Sequence, residues 1–327
     1  MVGNAGTGAE AGRAARLPRI ELGNAIVYVG FLAVFAFFAI VLHDRGFLSV
    51  GNLTNIARQT AMISIMAIGF VFVLAAGEID LSIGAVVALA SLVTALVLRD
   101  VGIWLAVPAG IATGVVVGLV NGLITTKVRI PSFLVTLGTL GVVNGIARWL
   151  TDLKSVPITD PVYTFIFGSG DIGPVPILFV WTAVALVVGH LALRKTAFGR
   201  QVLATGGNRT AALYSGVRTD RIKIATLVIS ASAAALAGML YAGRLHGARY
   251  TLGETDMLTV IAAVVIGGTG LFGGKGSVVG AVVGSLIMGI INNGLILMGL
   301  SVAQQMIFQG IIIVLAVALT SREARTA

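Results

Sequence analysis

Residues 25–42 read AIVYVGFLAVFAFFAIVL, eighteen positions without one charged side chain. A helix needs roughly 20 residues to cross the hydrocarbon of a bilayer, so this run matches a single crossing. In lipid every backbone polar group must be satisfied inside its own segment or barrel, and a barrel strand would alternate polar with apolar residues. The run does not alternate, so it reads as a helix. The next residues, His43, Asp44 and Arg45, follow no small-residue cleavage pattern. We therefore expect an uncleaved first span instead of a signal peptide.

Similar apolar blocks fill the rest of the chain. Hydrophobic residues make up 57% of the 327 positions and charged residues 11%, against about 25% charged in soluble proteins. Hydropathy predicts about ten spans, near 25–42, 61–76, 84–98, 103–124, 131–150, 175–193, 224–242, 257–268, 278–297 and 304–320. The expected fold is all-α and polytopic, with a tail at 1–24, a transmembrane domain at 25–320 and a tail at 321–327. A net charge of +9 and the absence of cysteine narrow the function classes. Without cysteine there is no disulfide framework, thiol nucleophile or thiolate metal site. The basic residues sit between spans and not on one soluble face, which argues against a nucleic-acid partner and for membrane topology.

The densest basic group, Arg194, Lys195, Arg200, Arg209, Arg218, Arg221 and Lys223, lies in the loop 194–223 with the single acid Asp220. The positive-inside rule puts that loop in the cytoplasm. The stretch 151–173, with Asp152, Asp160 and Asp171 against Lys154, belongs outside. An even number of spans with both termini inside satisfies all loops together.

Two ladders of glycine, Gly110-Gly114-Gly118-Gly122 and Gly276-Gly280-Gly284, recur at one-turn spacing. Such lines let helix backbones approach closely in lipid, either as plain packing or beside a pathway. Two polar or Gly-rich turns, Gly77 to Ser82 and Gly267 to Ser277, interrupt the apolar signal at membrane depth. Irregular backbone there must be covered by protein or line a cavity, and paired breaks suggest an inverted repeat of two halves, although these two are off register for five plus five. Within the first break, Glu78, Asp80 and Ser82 are candidates for a gate or interface contact; the alternative is a solvated turn in which Asp80 or Ser82 caps the next helix.

The run Gly270 to Gly276 imitates a phosphate loop, but Thr269 replaces its first Gly and Gly276 its Ser/Thr, so no nucleotide site is expected on this chain. His43, His190 and His246 never pair at i, i+4, and no metal site is implied. In Gly206-Gly207-Asn208-Arg209-Thr210-Ala211-Ala212-Leu213-Tyr214-Ser215-Gly216, Asn208 suits an N-cap and Gly216 the left-handed position after a helix. The pattern predicts a short cytoplasmic helix, with Leu213 and Tyr214 as apolar anchors. It would either dock a cytosolic partner or lie on anionic lipid headgroups.

Taken in order, Phe47 to Gln59, Gly77 to Ser82, Asn121-Gly122-Leu123, Ile130 to Gly138, Gly206 to Gly216 and Val265 to Gly280 resemble the inner-membrane permease of bacterial ATP-binding-cassette sugar importers, of the ribose, xylose and galactose type. One departure is Glu78, where that family more often has a second glycine, and it bears on how tightly the turn at Asp80 packs. The resemblance implies a multi-pass protein of the bacterial inner membrane that is a transport subunit and not an enzyme. Its implied partners are a cytoplasmic ATPase that uses the ATP, a periplasmic or lipid-anchored sugar-binding protein and a second permease copy or homologue. It makes Gly207, Asn208, Arg209, Ala211, Ala212, Leu213, Tyr214, Ser215 and Gly216 the ATPase-coupling element, favouring docking over lipid contact. For a neutral polyol the pathway candidates are Asn144, Ser230, Ser232, Asn292 and Asn293, each equally suited to interhelical hydrogen bonding. Arg244 and Arg249, beside Glu254 and Asp256, are candidates for docking the binding protein. An ion-coupled secondary transporter and a non-transporting scaffold are the competing classes; the first usually needs intramembrane carboxylates.

Overall fold

The computed structural model describes residues 22–312 and 314. The expected tails, 1–24 and 321–327, lie outside these residues except for 22–24, which belong to the first helix, and so does the end of the last expected span. Thirteen helices follow in order: α1 (Leu22–Val41), α2 (Val50–Ala75), α3 (Ile83–Asp100), α4 (Ile103–Leu123), α5 (Ser132–Thr151), α6 (Pro161–Thr164), α7 (Ile177–Lys195), α8 (Ala197–Gly207), α9 (Arg209–Tyr214), α10 (Thr219–Arg244), α11 (Asp256–Ile266), α12 (Val278–Leu297) and α13 (Val302–Ile312). Among the described residues, seven helices are long and apolar enough to cross a membrane: α2, α3, α4 with the π-turn that prolongs it to Val128, α5, α7, α10 and α12. Shorter apolar helices are Val27–Val41 within α1, α11 and α13. Large apolar side chains such as Trp104, Trp149 and Val188 stand exposed on α4, α5 and α7, as lipid-facing surfaces do. The chain is a multi-pass helical membrane protein.

α2 runs through the centre, buried almost without interruption from Thr60 to Ala75. It begins at Val50, well before the apolar window at 61, because its first turns carry polar residues that lower hydropathy yet find partners in the fold. Ser49 caps the helix through Asn52, Asn52 and Asn293 of α12 exchange amide hydrogen bonds at 2.9 and 3.0 Å, and Arg58 pairs with Asp171 at 2.6 Å. α10 lies across α2, α3 and α4. The glycine ladder of α4 faces it: a Cβ at Gly118 would stand 2.6 Å from the Cα of Val228, and one at Gly122 2.8 Å from that of Ile224. That ladder is close helix packing. The second ladder likewise lets α12 approach α11, with Gly280 on Gly267 and Gly284 on Ala263.

Two features depart from the hydropathy reading. α11 has 11 residues, about 16 Å of helix, or half of a hydrocarbon core of about 30 Å. Gly267 to Ser277 completes that segment as irregular backbone. The acidic stretch after α5 is a folded cap and not a plain loop: β1 (Val156–Pro157) pairs antiparallel with β4 (Gly247–Ala248), and β2 (Asp171–Ile172) with β3 (Val175–Pro176). Within it the Tyr163 hydroxyl donates to the Met239 carbonyl at 2.9 Å, and the Tyr163, Phe167 and Trp181 rings stack in series. Aromatic burial of this kind ties the cap to α10 and α7.

Candidate functional site

The polar turn after α2 is buried, which overturns the solvated reading of Glu78, Asp80 and Ser82. Glu78 is 6% exposed and the other two are sealed. A lone buried carboxylate is costly unless its oxygens are bonded, and both oxygens of Asp80 are. Oδ1 accepts from the backbone N–H and hydroxyl of Ser82 at 3.0 and 2.6 Å, and Oδ2 from the Ser230 hydroxyl of α10 at 2.9 Å. The Asn121 amide of α4 donates to Ser82 at 3.0 Å and accepts from Thr139 of α5 at 2.6 Å. Ser132 and Thr136 take the N–H groups of Ile79 and Leu81. Ser82 precedes α3 without a side-chain cap bond. Glu78 forms an ion pair with Lys223 at the start of α10, so the residue that departs from glycine acquires its own partner and the turn stays tightly packed. The turn is thus a joint of α3, α4, α5 and α10. Removing the Ser230 hydroxyl alone should cost about 2 kcal/mol, because it leaves Oδ2 of the buried Asp80 carboxyl without its bond. A Ser230→Ala chain with unchanged thermal stability in detergent would show that Asp80 does not need this bond.

α9 has the predicted cap. Asn208 Oδ1 accepts from the Ala211 N–H at 3.0 Å, and Gly216 takes φ 81° while Val217 N–H returns to the Ala212 carbonyl. Arg209 pairs with Asp220 at 3.0 Å and the Ser215 hydroxyl donates to the Ala211 carbonyl. Only Ala212 is buried; Ala211, Leu213, Tyr214 and Ser215 face outward, Tyr214 with 90% of its surface free. An exposed aromatic beside an exposed leucine on so short a helix is a surface feature that internal packing does not explain.

The root of α9 meets both membrane breaks, a juxtaposition invisible in sequence. The Gly274 N–H donates to the Ala75 carbonyl at 3.0 Å, and Gly206 sits against that same carbonyl and the Gly274 amide. A Cβ at Gly273 would stand 2.6 Å from the Gly206 carbonyl oxygen, and Gly77 adjoins Gly206 from the other side. Backbone touches backbone here without intervening side chains. A shift of α8 and α9 therefore bears directly on the C-terminal end of α2 and on the segment between α11 and α12.

The pathway candidates separate. Ser230 and Asn293 are bonded between helices as above. Asn144 on α5 is half-buried with an unpartnered amide oxygen, and Ser232 on α10 is half-buried. Asn292 lines a cavity of about 310 Å3 between α2, α10, α11, α12 and α13, and its buried amide oxygen has no partner. Gln59, Tyr241, Asp256 and Gln309 share that wall. So does Arg244, which is half-buried and bonds Asn55 at 3.2 Å. Arg244 thus faces the cavity and not an outer loop surface, leaving Arg249 as the exposed arginine. Hydropathy passed over Gln59 and Gln309 because each is isolated in an apolar context; their convergence is tertiary.

A family model described as the permease component of the branched-chain amino acid transport system matches residues 52–317. The chain is 39% identical to the ribose import permease protein RbsC of Bacillus subtilis (strain 168) over 297 residues, covering 90% of this chain and 92% of that protein. The Escherichia coli (strain K12) protein of the same name is 36% identical over 85% of this chain and 88% of its own. The L-arabinose transport system permease protein AraH of the same strain is 34% identical over 88% of each. No solved structure matches the chain.

Proposed function

The chain belongs to the family of branched-chain amino acid transport system permease components, and from that premise we propose that it is the membrane subunit of an ATP-binding-cassette importer that carries a monosaccharide or similar small polyol inward. Its relatives carry ribose and L-arabinose in their names. The 310 Å3 cavity supports the same class, since amides, hydroxyls and a single Arg and Asp suit a hydroxyl-rich solute better than a branched apolar side chain. The observation that carries the reading is α9: a capped, surface-held helix with Leu213 and Tyr214 free, rooted on both membrane breaks.

In this reading the seven long and three shorter apolar helices make ten crossings of the bacterial inner membrane, with both termini and the loop 194–223 inside. α9 is the element on which a separate cytoplasmic ATPase seats. ATP is bound and split on that partner, because the Gly270 to Gly276 segment lacks the phosphate-loop pattern. Closure of the ATPase pair moves α9, the glycine junction passes the motion to α2 and to the break before α12, and the populations of inward-open and outward-open states shift. A periplasmic or lipid-anchored binding protein delivers the sugar from outside, with Arg249 available to it. A second permease copy completes the pair. The α5 face bearing Gly138, Gly141 and Gly145, where an added Cβ would meet no atom of another element within 4 Å, permits its close approach.

The test is uptake by proteoliposomes holding this chain with its ATPase and binding protein. Sugar should enter only with ATP; uptake by this chain alone on a proton gradient would establish a secondary transporter instead. Asn292→Leu should slow uptake about fivefold, the worth of one hydrogen bond to the solute, with basal ATP hydrolysis unchanged.

A further inference from the structure

One four-residue pattern occurs twice in the chain, as Gly77-Glu78-Ile79-Asp80 and as Gly253-Glu254-Thr255-Asp256. The structure repeats with it. Both glycines take left-handed φ, 78° and 81°. Each turn follows a 26-residue helix, α2 or α10, and leads into an apolar one, α3 or α11. The helices after these match as well, with Asn121-Gly122-Leu123-Ile124 at the end of α4 and Asn293-Gly294-Leu295-Ile296 at the end of α12. Both glutamates are ion-paired, Glu78 with Lys223 and Glu254 with Arg148. The first break thus has an in-register counterpart at 253–256.

The two aspartates differ. Asp80 is sealed, and Ser82 and Ser230 between them donate to both of its oxygens. Asp256 is half-buried and lines the cavity of about 310 Å3. Among the described residues no basic side chain pairs with it, and α11 has no side-chain cap bond. The Tyr241 hydroxyl of α10 lies beside its carboxyl, and one donor leaves two carboxylate oxygens with accepting capacity unused. Arg244 stands on the same wall, bonded to Asn55 and not to Asp256. An acceptor and a donor of opposite charge therefore face one enclosed space without neutralising each other directly. A carboxylate in such a place is costly unless something bonds it, and the sealed copy of the same turn shows how the chain satisfies one that serves the fold.

We propose that Asp256 grips the transported solute: one hydroxyl of a vicinal pair donates to its carboxylate, and the neighbouring hydroxyl accepts from Arg244. This rests on the sugar-importer reading and names the contact within it. A vicinal diol is neutral, and each hydroxyl can both donate and accept, which an aliphatic side chain cannot do. A metal cation at the carboxylate would be opposed by the Arg244 charge on the same wall. The volume stands at the small end of the ligand-pocket range of about 300–1,000 Å3, as a monosaccharide requires.

The test measures binding of D-ribose and L-arabinose to the full chain in phosphatidylcholine nanodiscs by saturation-transfer NMR, without ATPase or binding protein. Asp256→Asn should weaken binding about tenfold, the difference between a charge-assisted and a neutral hydrogen bond. Glu254→Gln removes the same charge from an exposed side chain outside the cavity wall, and should leave binding within about twofold because exposed charges are screened. Methyl riboside and the monodeoxy riboses then locate the contact. For the analogue that lacks the donating hydroxyl, Asp256→Asn should change binding by less than about twofold, a result that a merely structural aspartate would not give. Asp256→Asn should melt with the parent chain, whereas Asp80→Asn should melt lower. The proposal is overturned if the parent chain binds neither pentose, if Asp256→Asn and Glu254→Gln behave alike, if the Asp256→Asn penalty is the same for every analogue, or if its melt falls as far as that of Asp80→Asn. ATP-driven uptake by the complete importer without Asp256-dependent binding would leave the importer reading standing and remove this site alone; no ATP-driven uptake at all would strike the importer reading itself.

Discussion

Leu213→Asp should cut ATP-driven uptake more than tenfold while the chain still inserts and folds. Leu213 is half exposed and Tyr214 almost wholly so, so a charge at 213 removes little internal packing. What it removes is the apolar anchor proposed to meet the ATPase. A carboxylate forced into an apolar interface beside a tyrosine anchor should cost about 2 kcal/mol or more, close to thirtyfold in affinity. Ala211→Trp tests the same surface by bulk, because Ala211 is also exposed. Ala212 is the wrong position for the experiment; it is 4% exposed, and enlarging it would disturb the helix seat itself. The measurement pairs uptake with co-purification of the ATPase and a thermal melt of the chain. Both variants keeping normal uptake would remove α9 from the coupling route, whereas a lowered melt would mean that the fold and not the docking surface had been hit.

The second large effect concerns two adjacent glycines. Gly206→Val should destabilise the chain by at least about 3 kcal/mol, the upper part of the range for overpacked sites. The new Cβ would overlap the Ala75 carbonyl oxygen and stand 2.8 Å from the Gly274 nitrogen. Both are backbone atoms joined to each other by the Gly274 to Ala75 hydrogen bond, so neither can retreat without breaking it. Gly207→Ala should be nearly neutral, since the nearest atom to its Cβ, the Gly274 Cα, lies at an ordinary 3.7 Å. Melting curves of the two variants in one detergent give the comparison. Equal stability would mean that α8 does not rest on the breaks as described. If Gly206→Val retains enough fold to bind an ATPase, hydrolysis should continue with uptake lost, because the contact proposed to carry motion from α9 to α2 has been pried open.

Legibility from sequence followed the range of the interaction concerned. Asn208 and Gly216 announced α9 because a helix cap is made by side chain and backbone a few residues apart. Asp80 and Ser82 were visible as polar residues in an apolar chain, yet their burial was not, since it depends on Ser230 and Asn121 from helices distant in sequence. Lys223 looked like one more topological charge in a basic loop until the fold set it against Glu78. Arg244 read as an outer-loop residue by its position after an apolar run, and turned inward because Asn55 and the cavity accept it. The start of α2 was missed for the same reason: hydropathy scores Asn52, Asn55 and Arg58 against a span, while the fold supplies each with a partner.

By itself, then, the sequence determined that this is a helical membrane protein, roughly where its apolar segments lie and which loop carries the exposed helix, because hydropathy, charge asymmetry and capping are local properties of the chain. Only the tertiary structure decided that α11 stops half-way, that the first break is a buried joint of four helices and that both breaks close on Gly206. Those outcomes depend on which distant backbone atoms come within hydrogen-bonding reach. In lipid, where an unpaired polar group has no water to turn to, such long-range pairing selects the arrangement.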